Sequence, residues 1–377
     1  MKTKTLELLR CVKGTDNGSC SGMLQVNNIA MPAVYATSDS NELLEGLLQC
    51  QKCHTQYPVL AGVAIIVPQL LTHLRDNYAT ILQLTMDLGG IGAPMRAWMS
   101  EKKIYWDRAK SSESQRYSGA ARLNVYLGAH YDDLSACLPP EHPLNKILQA
   151  IYPQDLYMSL MDMAAPHLLT DGIALDVGCN VGRLTLELSR RCRFVYGVDL
   201  AFGAVLAARR LLLGQPEPLK TYEFVHNGLN METRPLEVES RQNADLLVAS
   251  ALALPFESGA FDMVGSSNLI DVTPDPRGVI QAKEKILRAG GVLLTTDPYW
   301  WNIDDAPLER WVGGYGGVES AQAMRELLAE LGFEIVAEED MVPWILRYHD
   351  RQVSLHFNHN LVARKLNNLV QRQIDHG

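Results

Sequence analysis

One stretch restricts the fold of this chain more than any other: Ile173-Ala-Leu-Asp-Val-Gly-Cys-Asn-Val-Gly-Arg183. Ile173, Leu175 and Val177 make a short apolar strand, and Gly178 and Gly182 free the backbone at a turn. Leu184, Leu186 and Leu188 give the following helix an apolar side. A turn glycine carries no Cβ, so a ligand can approach the backbone closely. A second strand, Phe194-Val-Tyr-Gly-Val198, ends in Asp199. An acid at the tip of the second strand of such a unit is placed to accept two hydrogen bonds from a ribose diol. Strand, turn, helix, strand and acid together predict the nucleoside-binding half of an α/β fold.

The glycine spacing selects the nucleoside. A dinucleotide fingerprint reads G-x-G-x-x-G, with backbone amides turned on a pyrophosphate. Here the pattern is Asp176-x-Gly-x-x-x-Gly182, with an acid ahead of the first glycine and no third glycine. An acid repels phosphate and suits a ligand carrying an ammonium group. The stretch resembles the first motif of class I S-adenosylmethionine (SAM) methyltransferases, D-V-G-C-x-x-G. The resemblance implies SAM as cofactor, with Asp176, Gly178, Asn180 and Gly182 around its amino acid end. It also implies Asp199 on the ribose hydroxyls, with Leu200 beside it.

The later runs fit the same class. Helix Phe202 to Leu213 precedes an insertion over 217–242, in which Thr221–Val225 reads as an added strand and His226–Pro235 as a loop. Asp245-Leu-Leu-Val-Ala-Ser250 and Phe261-Asp-Met-Val-Gly-Ser-Ser267 read as the third and fourth strands. After them come helix Pro276 to Leu287, strand Val292 to Thr296, a helix capped by Ser320, and strands Phe333–Glu338 and Val353–Ala363. The resemblance predicts a Rossmann-like seven-stranded sheet whose last strand is antiparallel. Members of the class usually place an acid on the adenine amino group where this chain has Ser250, followed by Ala251. Ser267 and Asn268 are expected at the crevice, because ligands in such sheets bind beyond the carboxyl ends of the strands.

At 377 residues the chain is long for one domain and suggests two or three. With 47% hydrophobic and 20% charged residues it has enough apolar surface for a sizeable core. No apolar run is long enough to span a bilayer, and the first ten residues interleave charge with apolar residues and hold no cleavage-site pattern. A net charge of −9 and the lack of an RNA-binding motif argue against a nucleic-acid partner. Seven cysteines, an odd number, suggest reduced thiols rather than a disulfide framework, and a cytoplasmic protein. Nothing in the sequence speaks to oligomeric state.

Residues 1–69 hold Cys11, Cys20, Cys50 and Cys53, then His54-Thr-Gln-Tyr-Pro58 and an apolar run read as one strand, Val59 to Val67. Two thiolate pairs match tetrahedral zinc in a closed structural site, and a unit this small gains from a metal staple. The segment resembles the small zinc-ribbon proteins that activate tRNA, rRNA and release-factor methyltransferases. It departs from them where eight residues, rather than two to four, separate Cys11 from Cys20. A structural Zn²⁺ on these four cysteines and a ribbon with unliganded thiols both remain open.

Residues 70–144 read as a helical lid and linker, and 145–377 as the catalytic domain. Leu70 to Leu88 has helical apolar spacing, and Gly89-Gly90 breaks it. Arg96, Lys102, Lys103, Arg108, Lys110, Arg116 and Arg122 form a basic excess, read first as a solvated face. Tyr126, His130, Tyr131 and Asp132 form a polar-aromatic group suited to a sulfonium through cation–π attraction. Tyr126 and His130 are candidates for substrate contact and Tyr131 for catalysis, as are Asn268 and Asp271 after the fourth strand. Asp297-Pro-Tyr-Trp-Trp301 places Tyr299 and Trp300 at the mouth, and Arg347 is a candidate carboxylate clamp. His356 and His359 read as edge residues, and Asp271 as a group that also suits a helix cap.

With no strong base evident, an amine acceptor needs only positioning, whereas a hydroxyl asks for a base. These residues therefore predict a SAM-dependent methyltransferase for a small amino acid-like or anionic substrate, with N-methylation favoured. One alternative is an enzyme that cyclises the aminobutyryl part of SAM and releases methylthioadenosine. The other is an RNA or protein methyltransferase.

Overall fold

A computed structural model describes residues 1–15, 18–37, 40–105, 120–132, 141, 143–151 and 155–367. Arg108, Lys110 and Arg116 of the basic stretch lie outside them. In chain order the main strands are β1 Leu24–Val26, β2 Leu43–Cys50, β3 Gln56–Leu60, β4 Val63–Ile66, β5 Ile173–Val177, β6 Phe194–Asp199, β7 Thr221–Asn227, β8 Asn230–Pro235, β9 Ala244–Ala249, β10 Phe261–Ser267, β11 Leu287–Asp297, β12 Phe333–His349 and β13 Gln352–Lys365. The helices are α1 Leu70–Asp76, α2 Tyr78–Met86, α3 Ala93–Glu101, α4 Ala120–Tyr131, α5 Pro143–Ile151, α6 Leu156–Ala164, α7 Arg183–Ser189, α8 Phe202–Leu212, α9 Pro276–Ile286 and α10 Ser320–Glu330.

The predicted seven strands run in the order β12-β13-β11-β10-β5-β6-β9, parallel except for β13. This is the Rossmann-like sheet of the class. Its central strands are buried on both faces, and every residue of β9 is buried, which explains the near-continuous apolar runs of the sequence.

The sheet does not stop at β9. Strand β4 pairs with it in parallel, Ile65 opposite Val248 and Ile66 opposite Ala249. Through β4, β3, β2 and β1 the N-terminal strands carry one sheet onward, and the short strand Val34–Tyr35, paired with β2, brings it to twelve strands. The exposed edge that β9 would otherwise present is thereby covered. Arg209 on α8 is fully buried at this seam and pairs with Asp245 on β9 and with Glu42 beside β2.

Several local expectations are corrected. Val59 to Val67 is not one strand but the β3–β4 hairpin, turning at Ala61-Gly62 where both residues have positive φ. Leu70 to Leu88 breaks at Asn77, whose Nδ2 donates to the His73 carbonyl at 2.8 Å. A short amide side chain competes with the helix for backbone groups. The loop read at His226–Pro235 is strand β8, closed on β7 through Gly228. The cap of α10 is Glu319, which accepts from the Gln322 amide at 3.0 Å, while the Ser320 hydroxyl accepts from Trp301 Nε1. Strand β12 continues to His349, so Trp344, Arg347 and Tyr348 alternate along a strand instead of sharing a loop.

Candidate functional site

The turn after β5 is tied to β6 by its own backbone. The amides of Gly178 and Cys179 both donate to the Val198 carbonyl, at 2.8 and 2.9 Å. Gly178 has φ +75°, and a Cβ there would come within 2.8 Å of the Leu269 side chain. The next turn residue, Asn180, also has positive φ and donates its amide to Asp199 Oδ2 at 3.0 Å. Asp199 Oδ1 accepts from the Ala201 amide at 2.8 Å. Burial raises the Asp199 carboxyl above its usual range, and these amides pull it back. Asn180 Oδ1 is buried with no hydrogen-bond partner among the described residues.

These groups open on a cavity of ≈ 320 Å³ at the carboxyl ends of β5, β6, β9 and β10. Asp176, Gly178, Asn180, Asp199, Leu200, Ser250, Ala251, Ser267, Asn268 and Asp271 all line it. Asp176 accepts from the Thr185 hydroxyl at 2.7 Å. Burial pushes its carboxyl up to about 7 against that hydrogen bond. Ser250 Oγ accepts from the Leu252 amide at 3.3 Å, leaving its own O–H as a donor. Gly182 lies outside the lining. A Cβ there would meet Leu212 Cδ1 at 2.8 Å and the Ala208 Cβ at 3.2 Å, so this glycine lets α7 and α8 close together. Its role is packing, not ligand approach.

The far wall is aromatic. Tyr126 and His130 from α4 stack at 5.8 Å, and His130 meets Tyr157 edge-on at 5.3 Å. Trp300 and Trp344 flank His356, with ring centroids 5.6 and 5.1 Å from it. All six residues line the cavity. Tyr131, Tyr299 and Arg347 do not. The Tyr131 hydroxyl donates to the Val181 carbonyl at 2.9 Å, and Tyr299 bonds His359 Nδ1 at 2.9 Å. Arg347 sits on the opposite face of β12, bonded to Asp350 at 2.6 Å with its guanidinium 4.1 Å above the Phe224 ring. The alternation of side chains along a strand turns Leu346 and Tyr348 inward and Arg347 away.

Asp271 does not cap a helix; Asp275 caps α9, accepting from the Gly278 amide. The Asp271 carboxylate accepts from the Trp300 amide at 2.9 Å. Burial, and then the neighbouring Asp297, hold its carboxyl well above the usual range. The loop thus places a buried ionisable carboxyl group in the cavity wall.

Sequence reasoning missed several of these residues. Lys283 is fully buried beneath the cavity, donating to Ser266 Oγ, and burial lowers its ammonium to about 7 despite Asp297 and Asp176 nearby. Its signal was the stripe Val279, Ile280 and Ile286, which runs through position 283. His356 was read as a surface or edge residue; the structure instead turns it into the cavity and leaves its neighbours Val353, Leu355 and Phe357 exposed at 42%, 40% and 44%. His359 is buried, not at the surface, and bonds Tyr299 and Glu338. No local pattern marked Tyr157.

The four N-terminal cysteines converge. Cys11 and Cys53 sulfurs are 3.6 Å apart, Cys20 and Cys50 sulfurs 3.7 Å, and all four lie within 4.8 Å of one another. Tetrahedral Zn–S bonds of about 2.3 Å put sulfurs about 3.8 Å apart, so the set fits the ion. The amides of Lys52 and Cys53 point at Cys50 Sγ, both at 3.4 Å. A Cβ on Gly22 would lie 2.6 Å from Cys50 Sγ, which leaves only glycine room there. Burial raises the Cys11 thiol to about 12; at Cys53 burial also raises the thiol, but hydrogen bonds with Thr55, Cys20 and Cys11 together outweigh it and hold it at about 6.

A family model described as "Methyltransferase domain" matches residues 175–295. Among curated proteins, the chain is 23% identical over 170 residues to a ubiquinone biosynthesis O-methyltransferase of Colwellia psychrerythraea, covering 45% of this chain and 58% of that one. It is 35% identical over 123 residues to a demethylmenaquinone methyltransferase of Lactococcus lactis, covering 33% and 40%. It is 29% identical over 129 residues to a sarcosine/dimethylglycine N-methyltransferase of Halorhodospira halochloris, covering 31% and 45%. The chain thus spans about half the length of the curated relatives it matches. Among solved structures, magnesium protoporphyrin IX methyltransferase from Synechocystis PCC 6803 is 14% identical, covering 67% of this chain and 97% of that one at a TM-score of 0.41. A likeness that low carries no weight here.

Proposed function

We propose that the chain, whose residues 175–295 match a family model described as "Methyltransferase domain", transfers a methyl group from SAM to a small molecule bound at the aromatic end of the cavity. The observation that carries this reading is Asp199, held by two backbone amides at the strand tip and open to the cavity, beside the unpartnered Asn180 Oδ1. A diol and an ammonium group supply what these atoms lack.

Bound SAM supplies a methyl carbon activated by the adjacent sulfonium. Asp199 and Ser250 hold the nucleoside, and Asp176 places a buried carboxyl group beside the amino acid end. The aromatic wall excludes water and offers π faces to the positive sulfur. The acceptor's lone pair forms the bond to the methyl carbon as the carbon–sulfur bond breaks, its electron pair returning to sulfur. Asp271, with its raised proton affinity, takes the proton that the acceptor loses. This group removes the reason for favouring an amine acceptor over a hydroxyl. Arg347, turned away from the cavity, gives no support to an amino acid carboxylate. Residues 1–69 act as a zinc-ribbon-like unit with a structural Zn²⁺ on Cys11, Cys20, Cys50 and Cys53, and 70–144 as the lid of the catalytic domain 145–377.

Calorimetric titration with S-adenosylhomocysteine tests the reading. The wild-type chain should bind it, and Asp199→Asn should bind at least about a hundredfold more weakly, since two charge-assisted hydrogen bonds are worth ~3 kcal/mol or more. Equal affinity of the two proteins would refute the site.

A further inference from the structure

Two imidazoles line the acceptor end of the cavity, and each buries a nitrogen that has no hydrogen-bond partner among the described residues: His130 Nδ1 and His356 Nε2. Buried polar atoms in folded proteins are nearly always satisfied, so an orphaned one beside a cavity points to a ligand. Among the described residues neither ring has a carboxylate partner that would hold it charged, and burial lowers the proton affinity of both, that of His130 to about 3. Each is therefore a neutral ring with one donor and one acceptor nitrogen. Neutral rings also avoid repelling the sulfonium.

The surroundings of these two nitrogens are aromatic. Tyr126 lies nearly parallel to His130, with an interplanar angle of 10°. His356 is flanked by the indoles of Trp300 and Trp344, tilted 43° and 42° to it. Asp271, whose carboxylate is fixed by the Trp300 amide, adjoins the second of these groups. Planar π surfaces with polar atoms at their edges match a planar ring bearing hydroxyl groups.

We propose that the acceptor is a hydroxylated aromatic molecule, seated against Trp300, His356 and Trp344, with His130 and His356 as positioning residues that hydrogen-bond its ring substituents. The assignment rests on the SAM reading above and narrows its substrate class. In the reaction one ring hydroxyl becomes a methyl ether, and its proton passes to Asp271.

The test uses the full chain saturated with S-adenosylhomocysteine and titrated with catechol, cyclohexane-1,2-diol and sarcosine. Catechol should bind at least roughly tenfold more tightly than the other two, which share its hydroxyl pair without the ring or replace it with an amine. His356→Leu and Trp344→Leu should each weaken catechol by a similar factor and leave S-adenosylhomocysteine affinity within about twofold, which also shows that the variants fold. Equal or tighter binding of the diol or of sarcosine overturns the assignment, as does catechol affinity unchanged in both variants. Absence of S-adenosylhomocysteine binding to the wild type would instead bring down the cofactor reading, and this one with it. The ligand comparison on the wild type stands even if a variant fails to fold.

Discussion

Replacing Arg209 with methionine keeps most of the side-chain volume and removes the charge that joins the N-terminal strands to the catalytic sheet. Arg209 and Asp245 are both fully buried beside the seam, and Glu42, from the N-terminal strands, is the second partner of Arg209. Breaking one side of a buried pair costs ~3–5 kcal/mol, because the remaining charge loses its compensation. Asp245 keeps the Thr5 hydroxyl at 2.5 Å and the Lys2 amide at 2.9 Å, which places the loss near the lower end, about 3 kcal/mol. The pH dependence separates charge from packing. In the wild type Arg209 offsets burial and holds the Asp245 carboxyl below its usual value. That contribution is present above the unfolded value of about 4 and is lost as pH falls through the lower folded value. Without Arg209 burial dominates and the folded value rises above 4, so the variant loses stability as pH increases past that point. The gap between the proteins should widen from about pH 4 to pH 7. Urea unfolding followed by tryptophan fluorescence at both pH values measures it. A loss below about 1 kcal/mol, or a gap independent of pH, would refute the reasoning, and Arg209→Met with Asp245→Asn should recover part of the loss.

Two further outcomes follow from the geometry. Gly182→Ala should destabilise by about 2–4 kcal/mol, combining a left-handed backbone with a methyl pressed on Leu212 and Ala208; a change under 1 kcal/mol in the same assay would contradict the packing role. Elemental analysis of protein purified without chelator should find about one zinc per chain, and Cys53→Ser should lower both the zinc content and the thermal midpoint; metal-free wild-type protein would leave the ribbon held by thiols alone.

Much of the catalytic half was legible because its signals are local. An apolar run, a glycine at positive φ and an acid at a strand tip each reflect constraints acting over a few residues, so β5, the turn through Asn180, and Asp199 could be placed before any coordinates. Where two local signals competed, the reading failed. Ala61-Gly62 looked apolar enough to continue a strand, and Asn77 passed as one polar position in a helix. At Gly182 a conformational signal was correctly found, but its cause was the packing of Ala208 and Leu212 on the next helix, and not a ligand.

The chain by itself determined the order of the seven strands from β5 onward that form the mostly parallel sheet, and the turn between β5 and α7, because periodicity and turn chemistry act between near neighbours. Only the tertiary structure decided the rest. Which face of β13 meets the cavity depends on what packs against each side: His356 lines it, while Val353, Leu355 and Phe357 stay exposed. The pairing of β4 with β9 and the burial of Arg209 against Asp245 and Glu42 join segments far apart in sequence. Proton affinities at Asp176, Asp271 and Lys283 follow from burial and from charges brought beside them by folding. Such properties belong to the assembled interior, where water is excluded and distance along the chain no longer counts.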